Sequence, residues 1–252
     1  MRDRQQGLAA GQRRVLAVLF GLIILSGLAS CGPSDSDYFP LTPGWSWSYR
    51  VTSDIRNVGK SLSHMMVVNG KPLTVDGQRA TPRMYQDGHI FYYASDDDGV
   101  LLIADRPAWQ NAAPAEPDQW VLKYPLDAGT SWAVASKTHL LHRQLFSPTA
   151  VLSVPVVAPI ALTYTIEATN DTVRVAAGTY RNCLRLKGTG EGVVDMGDRI
   201  GEVDVTVETT QWFAPGVGLV KIERAESSGP ESPAGGTMTV ELDEVDTGTW
   251  FQ

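Results

Sequence analysis

The sequence predicts an all-β protein: a single antiparallel sheet that is strongly bent, or that closes into an open barrel or sandwich, preceded by a cleaved signal peptide. Three observations support this prediction. Helical periodicity is nearly absent after residue 37, β-rich or alternating runs recur along the chain, and Gly, Pro, Asn and Asp separate them. No short repeat period runs through the sequence, so neither a solenoid nor a propeller is predicted.

Residues 1–30 are typical of a bacterial lipoprotein signal peptide. An apolar stretch covers residues 15–25, and small residues precede the cysteine in the box Leu28-Ala29-Ser30-Cys31. Resemblance to the lipoprotein signal implies a diacylglyceryl thioether on Cys31 and a third, amide-linked chain such as palmitate. Lipidation of Cys31 is therefore the one site that the sequence predicts. The positive charges before the apolar stretch are Arg2, Arg4, Arg13 and Arg14.

Two alternatives compete with lipidation. A membrane-spanning helix needs about 20 apolar residues, and this stretch is interrupted by Gly21, Ser26 and Gly27. An ordinary secretory cleavage would leave Cys31 incidental. The position of the box at the end of the apolar stretch favours lipidation over both.

The predicted mature chain is acidic. Removing the four Arg and one Asp of residues 1–30 leaves 17 basic and 27 acidic residues in residues 31–252, a formal charge of −10. Such a chain is repelled by phosphate backbones and anionic headgroups, so we expect no nucleic-acid partner and membrane attachment through the lipid alone. Gly32 follows the cysteine where an aspartate would favour retention at the inner membrane. The resemblance to the lipoprotein signal therefore favours the outer membrane, and we expect a lipid-anchored domain that faces the periplasm.

Residues 31–37 are predicted to be the lipidated cysteine and a polar tether, and residues 38–252 a single β-rich domain. The tether after Cys31 spans at most about 20 Å when extended. The predicted domain, a little over 200 residues long, can bury one large all-β core, and no second linker divides it. The predicted strand runs are Trp45–Val51, Leu62–Val68, Ile90–Ala94, Val100–Ala104, Ala161–Ala168, Tyr180–Lys187, Val203–Trp212, Leu219–Arg224 and Met238–Leu242.

Two local patterns predict turns. The stretch from Ser95 to Gly99 contains three consecutive aspartates, but it lacks the distal glutamate of a calcium loop, so a hairpin turn is favoured. The stretches 40–47 and 125–132 share Pro-Leu, Gly and Ser-Trp at the same spacing. This internal similarity indicates either a duplicated half or one turn type used twice.

The C-terminal runs also alternate in charge. One face of the run 180–187 carries Arg181, Cys183, Arg185 and Lys187, and one face of the run 202–208 carries Glu202, Asp204, Thr206 and Glu208. If the two strands are antiparallel neighbours, a basic row faces an acidic row, and aliphatic side chains pack on the other side. The expected role is to fix strand register, rather than to bind a ligand.

The run Val151–Leu162 is apolar enough to line or cover a ligand site. Pro148, Pro155 and Pro159 favour a long loop or an edge segment over a central strand.

Three stretches resemble a family of bacterial envelope lipoproteins of unknown function. The chain opens with Asp37-Tyr38-Phe39-Pro40-Leu41, followed by Gly44 and Trp47-Ser48-Tyr49. Residues 175–186 resemble the family's Ala-Gly-Thr-aromatic turn before a cysteine-bearing strand, and residues 212–221 its aromatic-Pro-Gly-x-Gly turn. Ala176 departs from the proline expected there, which changes turn rigidity. The resemblance implies an exported, antiparallel β-rich domain and carries over no catalytic residues.

No catalytic constellation, metal site or cofactor is predicted. His139 and His142 could share a metal only on a helix with a further ligand, so we expect solvent-facing or singly bonded histidines. Cys183 has no partner once Cys31 is lipidated, and a packed, inert thiol is expected.

The sequence therefore favours a non-enzymatic envelope assembly, interaction or ligand-holding module. A carrier for lipid or another apolar ligand is the first alternative, and a hydrolase is the second. The identity of any ligand or envelope-protein partner and the oligomeric state stay open.

Overall fold

The computed structural model describes residues 38–115, 119–147, 149–197, 200–229 and 234–248. All of these residues belong to one compact unit. The predicted signal peptide, Cys31 and the tether up to residue 37 lie outside the described residues, so those assignments stay predictions. The boundary of the β-rich domain at residue 38 stays a prediction as well.

The regular structure of the described residues consists of sixteen β-strands. Each predicted strand run lies within one of these strands, except Trp45–Val51, which begins one residue before β1. The strands are β1 (Ser46–Ile55), β2 (Gly59–Asn69), β3 (Leu73–Val75), β4 (Gln78–Tyr85), β5 (Ile90–Asp96), β6 (Gly99–Arg106), β7 (Ala113–Pro114), β8 (Trp120–Lys123), β9 (Ser131–Lys137), β10 (His142–Ser147), β11 (Ala150–Pro155), β12 (Pro159–Val175), β13 (Gly178–Asp195), β14 (Glu202–Ala214), β15 (Gly218–Ser228) and β16 (Gly235–Asp246).

The all-β prediction is confirmed, and fourteen of the strands form one large antiparallel sheet. Its order is β7-β6-β5-β4-β2-β1-β16-β15-β14-β13-β12-β9, with β3 paired to β4 and β8 paired to β6. β1 lies between β2 and β16, so the first strand joins the two halves of the chain. β10 and β11 pair only with each other among the described residues, and we call these two strands, residues 142–147 and 150–155, the ribbon.

The sheet bends until β8 approaches β9. The Trp132 indole N–H donates to the Trp120 carbonyl at 3.1 Å. The Gln119 side-chain amide, oriented so that both its groups have partners, donates to the Ala135 carbonyl at 3.1 Å and accepts from the Ala135 N–H at 3.0 Å. The Gln119 side chain thus makes the hydrogen bonds to β9 that a neighbouring strand would make, and the sheet is barrel-like.

The concave face holds the core. Trp47, Leu186 and Leu242 are at most 2% exposed, and each lies in a cluster of buried aliphatic and aromatic side chains. A Cβ on Gly188 would lie 2.6 Å from the Tyr164 ring, so this ring can lie across β13 only because residue 188 has no side chain.

The long strands define two ends of the sheet. At one end, residues 38–42 lie against the turn before β1 and against the β14–β15 connection, since Gly218 approaches Pro40. We call residues 38–42 the strap and this end the strap end. The far end carries the β1–β2 turn and the β15–β16 connection, where the Arg56 N–H donates to the Gly235 carbonyl at 2.9 Å. The ribbon also reaches this end, because the Gln144 amide lies 3.5 Å from the Asn57 carbonyl.

The repeated turn is confirmed in detail. Gly44 and Gly129 both have positive φ, of 84° and 98°. Their N–H groups donate to the carbonyls of Asn69 and Ile166 respectively, each at 2.8 Å. A buried tryptophan follows three residues later in each copy, Trp47 at 2% exposure and Trp132 at 5%. The two copies therefore share the geometry around the glycine as well as a sequence pattern, although the peptide bond before the first proline is cis only in the second copy, at Tyr124-Pro125.

The hairpin turn at the three aspartates is also confirmed. Asp96 pairs with Gly99 across the β5–β6 hairpin, and the Asp96 carboxylate accepts from the Asp98 and Gly99 N–H groups at 2.9 and 3.1 Å. Gly99 has a φ of 144°, and a Cβ there would collide with the Leu122 carbonyl oxygen. Glycine is therefore required at this position.

The prediction for Val151–Leu162 is wrong over its second half. β11 ends at Pro155 in the two-stranded ribbon, as an edge segment would. β12 begins at Pro159 and lies between β9 and β13, with Ile160 and Leu162 buried. Pro159 is tolerated because it is the first residue of its strand, where a missing N–H does not interrupt the ladder.

The predicted charge rows do not face each other. β13 and β14 are antiparallel neighbours, so the first residues of β13 lie opposite the last residues of β14. The basic residues of β13 and the acidic residues of β14 are therefore at opposite ends of the pair, and Glu202 lies opposite Asp195. Lys187 forms the one expected ion pair of this kind, with Glu208 at 2.6 Å. Arg185 contacts Glu167 and Asp171 of β12 instead, at 3.1 and 2.9 Å. The aliphatic face is as expected, with Leu184, Leu186, Val205 and Val207 buried.

Candidate functional site

The strap end holds a buried arginine in an aromatic cage. Arg83 is 7% exposed, and its guanidinium carbon lies 4.1 Å from the Phe39 ring centre, 4.7 Å from that of Trp47 and 5.5 Å from that of Tyr93. A cation over aromatic faces is attracted by their negative quadrupole, and the attraction is stronger where water is excluded. The cage therefore stabilises a charge that burial alone would disfavour.

Arg83 also fastens the strap through hydrogen bonds. Its Nη2 donates to the Pro40 carbonyl at 2.8 Å, and its Nε donates to Asn69 Oδ1 at 2.9 Å. The Asn69 amide in turn donates to the carbonyls of Pro40 and Thr42 at 3.0 and 3.1 Å. The Pro40 carbonyl thus accepts from two side chains, one on β2 and one on β4. We call Arg83 and Asn69 the clamp.

A third contact holds the first described residue. The Tyr38 hydroxyl donates to the Asn182 carbonyl of β13 at 3.0 Å. Phe39 packs against Tyr93 with ring centres 4.9 Å apart. The strap is therefore attached to both halves of the sheet.

The tyrosines near the clamp stay neutral. Burial raises the pKa of Tyr49 and of Tyr93 well above the ordinary tyrosine value, and the positive charge of Arg83 offsets this only in part. The Tyr49 hydroxyl donates to the Leu219 carbonyl at 3.0 Å. These hydroxyls therefore act as hydrogen-bond donors within the core.

A cleft of about 510 Å³ lies beside the strap. Its size is within the range of small-molecule sites. Part of its wall is apolar and comes from the strap itself and from the turn before β1. Its lining residues are Phe39, Pro40, Leu41, Thr42, Trp45, Ser95 and Gly216.

A second buried charge lies near the far end. Arg224 and Glu226 form an ion pair at 2.7 Å with side-chain exposures of 7% and 0%. Glu226 also accepts from the N–H groups of His139 and Leu140 at 2.8 Å, and Arg224 donates to the Lys137 carbonyl at 2.7 Å. The pair therefore fixes the segment that leads from β9 into the ribbon.

The remaining predicted candidates have structural surroundings. His139 is exposed, and His142 Nδ1 lies 3.2 Å from the Ser153 hydroxyl, so both histidines are solvent-facing or singly bonded as expected. The segment between them is not helical. Cys183 is fully buried in the core, where burial raises the pKa of its thiol to about 11. This confirms a packed thiol. The sequence placed Cys183 on the same face of β13 as Arg181 and Arg185, but its side chain lies in the core. The reason is that Asn182 has a φ of 54° and interrupts the alternation of side chains along β13.

A polar groove of about 320 Å³ crosses the outer face of β13 to β16. Lys187, Glu208 and Glu223 line it, and each is already in an ion pair, Lys187 with Glu208 and Glu223 with Lys221. Within the described part of the chain, no group of three or more His, Cys, Asp or Glu side chains is placed to hold a metal ion. No helix of the described residues is both long and apolar enough to cross a membrane.

Sequence reasoning missed both buried arginines. Arg224 and Glu226 stand two residues apart in a strand, so they share a face, and the aliphatic pattern Val220 and Ile222 before them marks that face as the core. That signal could have been found. The position of Arg83 offers no comparable signal, because its partners come from three separate segments.

Comparisons with known proteins give distant likenesses only. No protein-family model matches the sequence, and no curated protein is a match. The fold is similar to the crystal structure of a presumed lipoprotein from Parabacteroides distasonis ATCC 8503, with 14% identity, a TM-score of 0.38, and coverage of 83% of this chain and 98% of that one. It is also similar to a presumed exported protein with a YmcC-like fold from Bacteroides fragilis NCTC 9343, with 12% identity, a TM-score of 0.37, and coverage of 82% and 98%.

Proposed function

We propose that this chain is a lipoprotein of the outer membrane, attached through Cys31, whose β-domain faces the periplasm. In this proposal the domain is a non-catalytic module that assembles with, or holds, another envelope component. The observation that carries the proposal is the short distance in sequence between the Leu-Ala-Ser-Cys box and the clamp. Six residues separate Cys31 from Tyr38, and the strap that follows is fastened at Pro40.

This arrangement suits an anchored domain. A tether of this length reaches at most about 20 Å, so the strap end stays near the bilayer. Two or three acyl chains hold a protein stably on a membrane, since each buried methylene contributes about 0.8 kcal/mol. The clamp then connects the anchor to β2 and β4.

The surroundings of the inward-facing charges support a non-catalytic role. Arg83 and Arg224 both donate to backbone carbonyls, and Glu226 accepts from backbone N–H groups. Groups engaged in this way position backbone segments and are not available to transfer protons to a substrate.

Lipidation is tested by growing cells with an alkyne-bearing fatty acid and detecting label on the chain. The expected result is label on the wild-type protein and none on Cys31→Ser. Cys183→Ser is the matched control, since it removes the other thiol and leaves the box intact. A labelled Cys31→Ser protein, or an unlabelled wild type, would contradict the proposal. Separation of inner and outer membranes then tests the location.

A second candidate function is the holding of an apolar ligand, favoured by the cleft beside the strap. Phe39, Leu41 and Trp45 supply its apolar wall. Native mass spectrometry of the detergent-purified protein tests this candidate through the mass of any bound molecule. A stoichiometric ligand that is lost in Leu41→Glu and retained in the far-end variant Leu145→Glu would support it. A clean mass for the wild type would refute tight binding.

A further inference from the structure

The last strand leads the chain to the cleft beside the strap. β16 lies between β1 and β15 in the sheet and is antiparallel to both, so it ends where its two neighbours begin. The connections that precede β1 and β15 supply Trp45 and Gly216 to the wall of the cleft. The chain therefore leaves β16 between two of the residues that line the cleft.

The contacts of Gly248 fix this exit. Gly248 has a φ of 73°, and its N–H donates to the Asp246 carboxylate at 2.8 Å. A Cβ on Gly248 would lie 3.4 Å from the Gly44 carbonyl oxygen, so the two glycines lie side by side. Gly44 immediately precedes Trp45 in the sequence. The chain thus passes directly beside the cleft wall at Gly248.

The four residues that follow are within reach of the cleft. Residues 249–252 have the sequence Thr-Trp-Phe-Gln and lie outside the described residues. Four extended residues span at most about 14 Å, and Trp250 is two residues from Gly248. An indole attached by so short a link has an effective concentration on the order of millimolar at the cleft. Its binding there does not depend on the supply of a free ligand.

The chemistry of the cleft suits an indole. Phe39 and Trp45 supply aromatic surface, against which a further aromatic ring packs favourably in an offset or edge-to-face arrangement. Thr42 and Ser95 are exposed lining residues with hydroxyl groups, which can accept a hydrogen bond from an indole N–H. None of the described lining residues is charged, and residues 249–252 carry no charged side chain. The segment and the cleft are therefore complementary in character.

We propose that residues 249–252 turn back over the strap end and that the Trp250 side chain occupies the cleft beside the strap. The occupant is then a segment of the same chain, and an apolar ligand of the cleft would have to displace it. The contact joins the end of β16 to the strap. This inference rests neither on the lipid anchor nor on a bound ligand.

Tryptophan fluorescence of the mature chain with Cys31→Ser tests the proposal. The sequence contains seven tryptophans, so the emission of one is obtained as the difference between this chain and its Trp→Phe variant. Trp109 is the matched control, because its side chain is 102% exposed. The difference spectra for Trp250→Phe and Trp109→Phe are recorded with increasing acrylamide, which quenches the emission of indoles that it can reach.

We expect Trp250 to emit at a shorter wavelength than Trp109 and to be quenched several-fold less. Ser95→Lys and Leu41→Glu each place a charge in the cleft, so each should raise the quenching of Trp250 to that of the control. Ser95 is exposed, so its variant tests the cleft even if Leu41→Glu does not fold. Leu145→Glu, at the far end, should leave the quenching of Trp250 unchanged.

Three results would overturn the proposal. The first is equal quenching of Trp250 and Trp109 in the ligand-free chain. The second is shielding of Trp250 that persists in Ser95→Lys, since the indole would then be bound elsewhere. The third is shielding that disappears on dilution, which would show that Trp250 binds a second copy of the chain.

The ligand candidate is judged separately by the native mass spectrum. A clean mass together with a shielded Trp250 supports this proposal and refutes tight ligand binding. A stoichiometric ligand, with Trp250 quenched like Trp109 both before and after the ligand is extracted, overturns this proposal and supports the ligand candidate.

Discussion

Replacing Arg83 with methionine tests the clamp, because it keeps much of the side-chain length and removes the charge and both donors. Each hydrogen bond from a charged group contributes about 1.5–3 kcal/mol, and Arg83 makes two, at 2.8 and 2.9 Å. Its attraction to the aromatic rings adds about 1–2 kcal/mol. The described residues give Arg83 no carboxylate partner, so its removal also relieves a desolvation cost of a few kcal/mol.

The net loss expected for Arg83→Met is about 3 kcal/mol, which corresponds to a fall in melting temperature of about 6–12 °C for a domain of this size. The loss should begin at the strap, so hydrogen exchange measured by mass spectrometry should rise first at residues 38–42. Arg79→Met, an exposed arginine on the same strand, is the control and should change neither quantity. An unchanged melting temperature, or destabilisation with the strap still protected, would refute the reasoning.

Three further predictions concern single sites. Gly99→Ala should cost about 2 kcal/mol or more in urea unfolding, because its Cβ would meet the Leu122 carbonyl, whereas Gly44→Ala, with open space around it, should cost only about 1 kcal/mol; equal losses would contradict this. The Cys183 thiol, whose pKa burial raises to about 11, should not react with a disulfide reagent at pH 8 until the protein unfolds, and prompt reaction in the native state would show that it is accessible. Burial raises the pKa of Tyr49 and Tyr93, so the folded state favours their neutral forms; urea midpoints should hold up to about pH 10 and then fall as pH rises, and a flat profile to pH 11 would count against this.

The features that the sequence predicted well are those set by neighbouring residues. The turns at Gly44 and Gly129 follow from a proline, a glycine and the spacing to the next tryptophan, and the structure repeats them with the same hydrogen bonds. The turn ending at Gly99 likewise depends on one aspartate and one glycine. Alternation of aliphatic side chains was sufficient to place Leu186 and Val207 in the core.

The features that sequence reasoning missed depend on register between distant strands. The clamp joins Pro40, Asn69 and Arg83, and nothing local shows that these three positions meet. The charge rows failed because antiparallel pairing of β13 with β14 puts the basic residues of one strand and the acidic residues of the other at opposite ends of the pair, and because Asn182 changes which face the next residue occupies. The irregular backbone at Asn182 belongs to the pairing of β13 with β12, which the pattern within one strand does not reveal.

The clamp has a mechanical consequence for any tension applied to the chain before Tyr38. Without the clamp, the hydrogen bonds of Tyr38 and Gly44 would break first, and the pull would then separate β1 from its neighbours one hydrogen bond at a time. With the Pro40 carbonyl held by side chains of β2 and β4, the load enters two strands together, six residues before β1 begins. Detachment then requires the guanidinium and amide bonds to break at once, so the sheet is protected from being unzipped from its first strand.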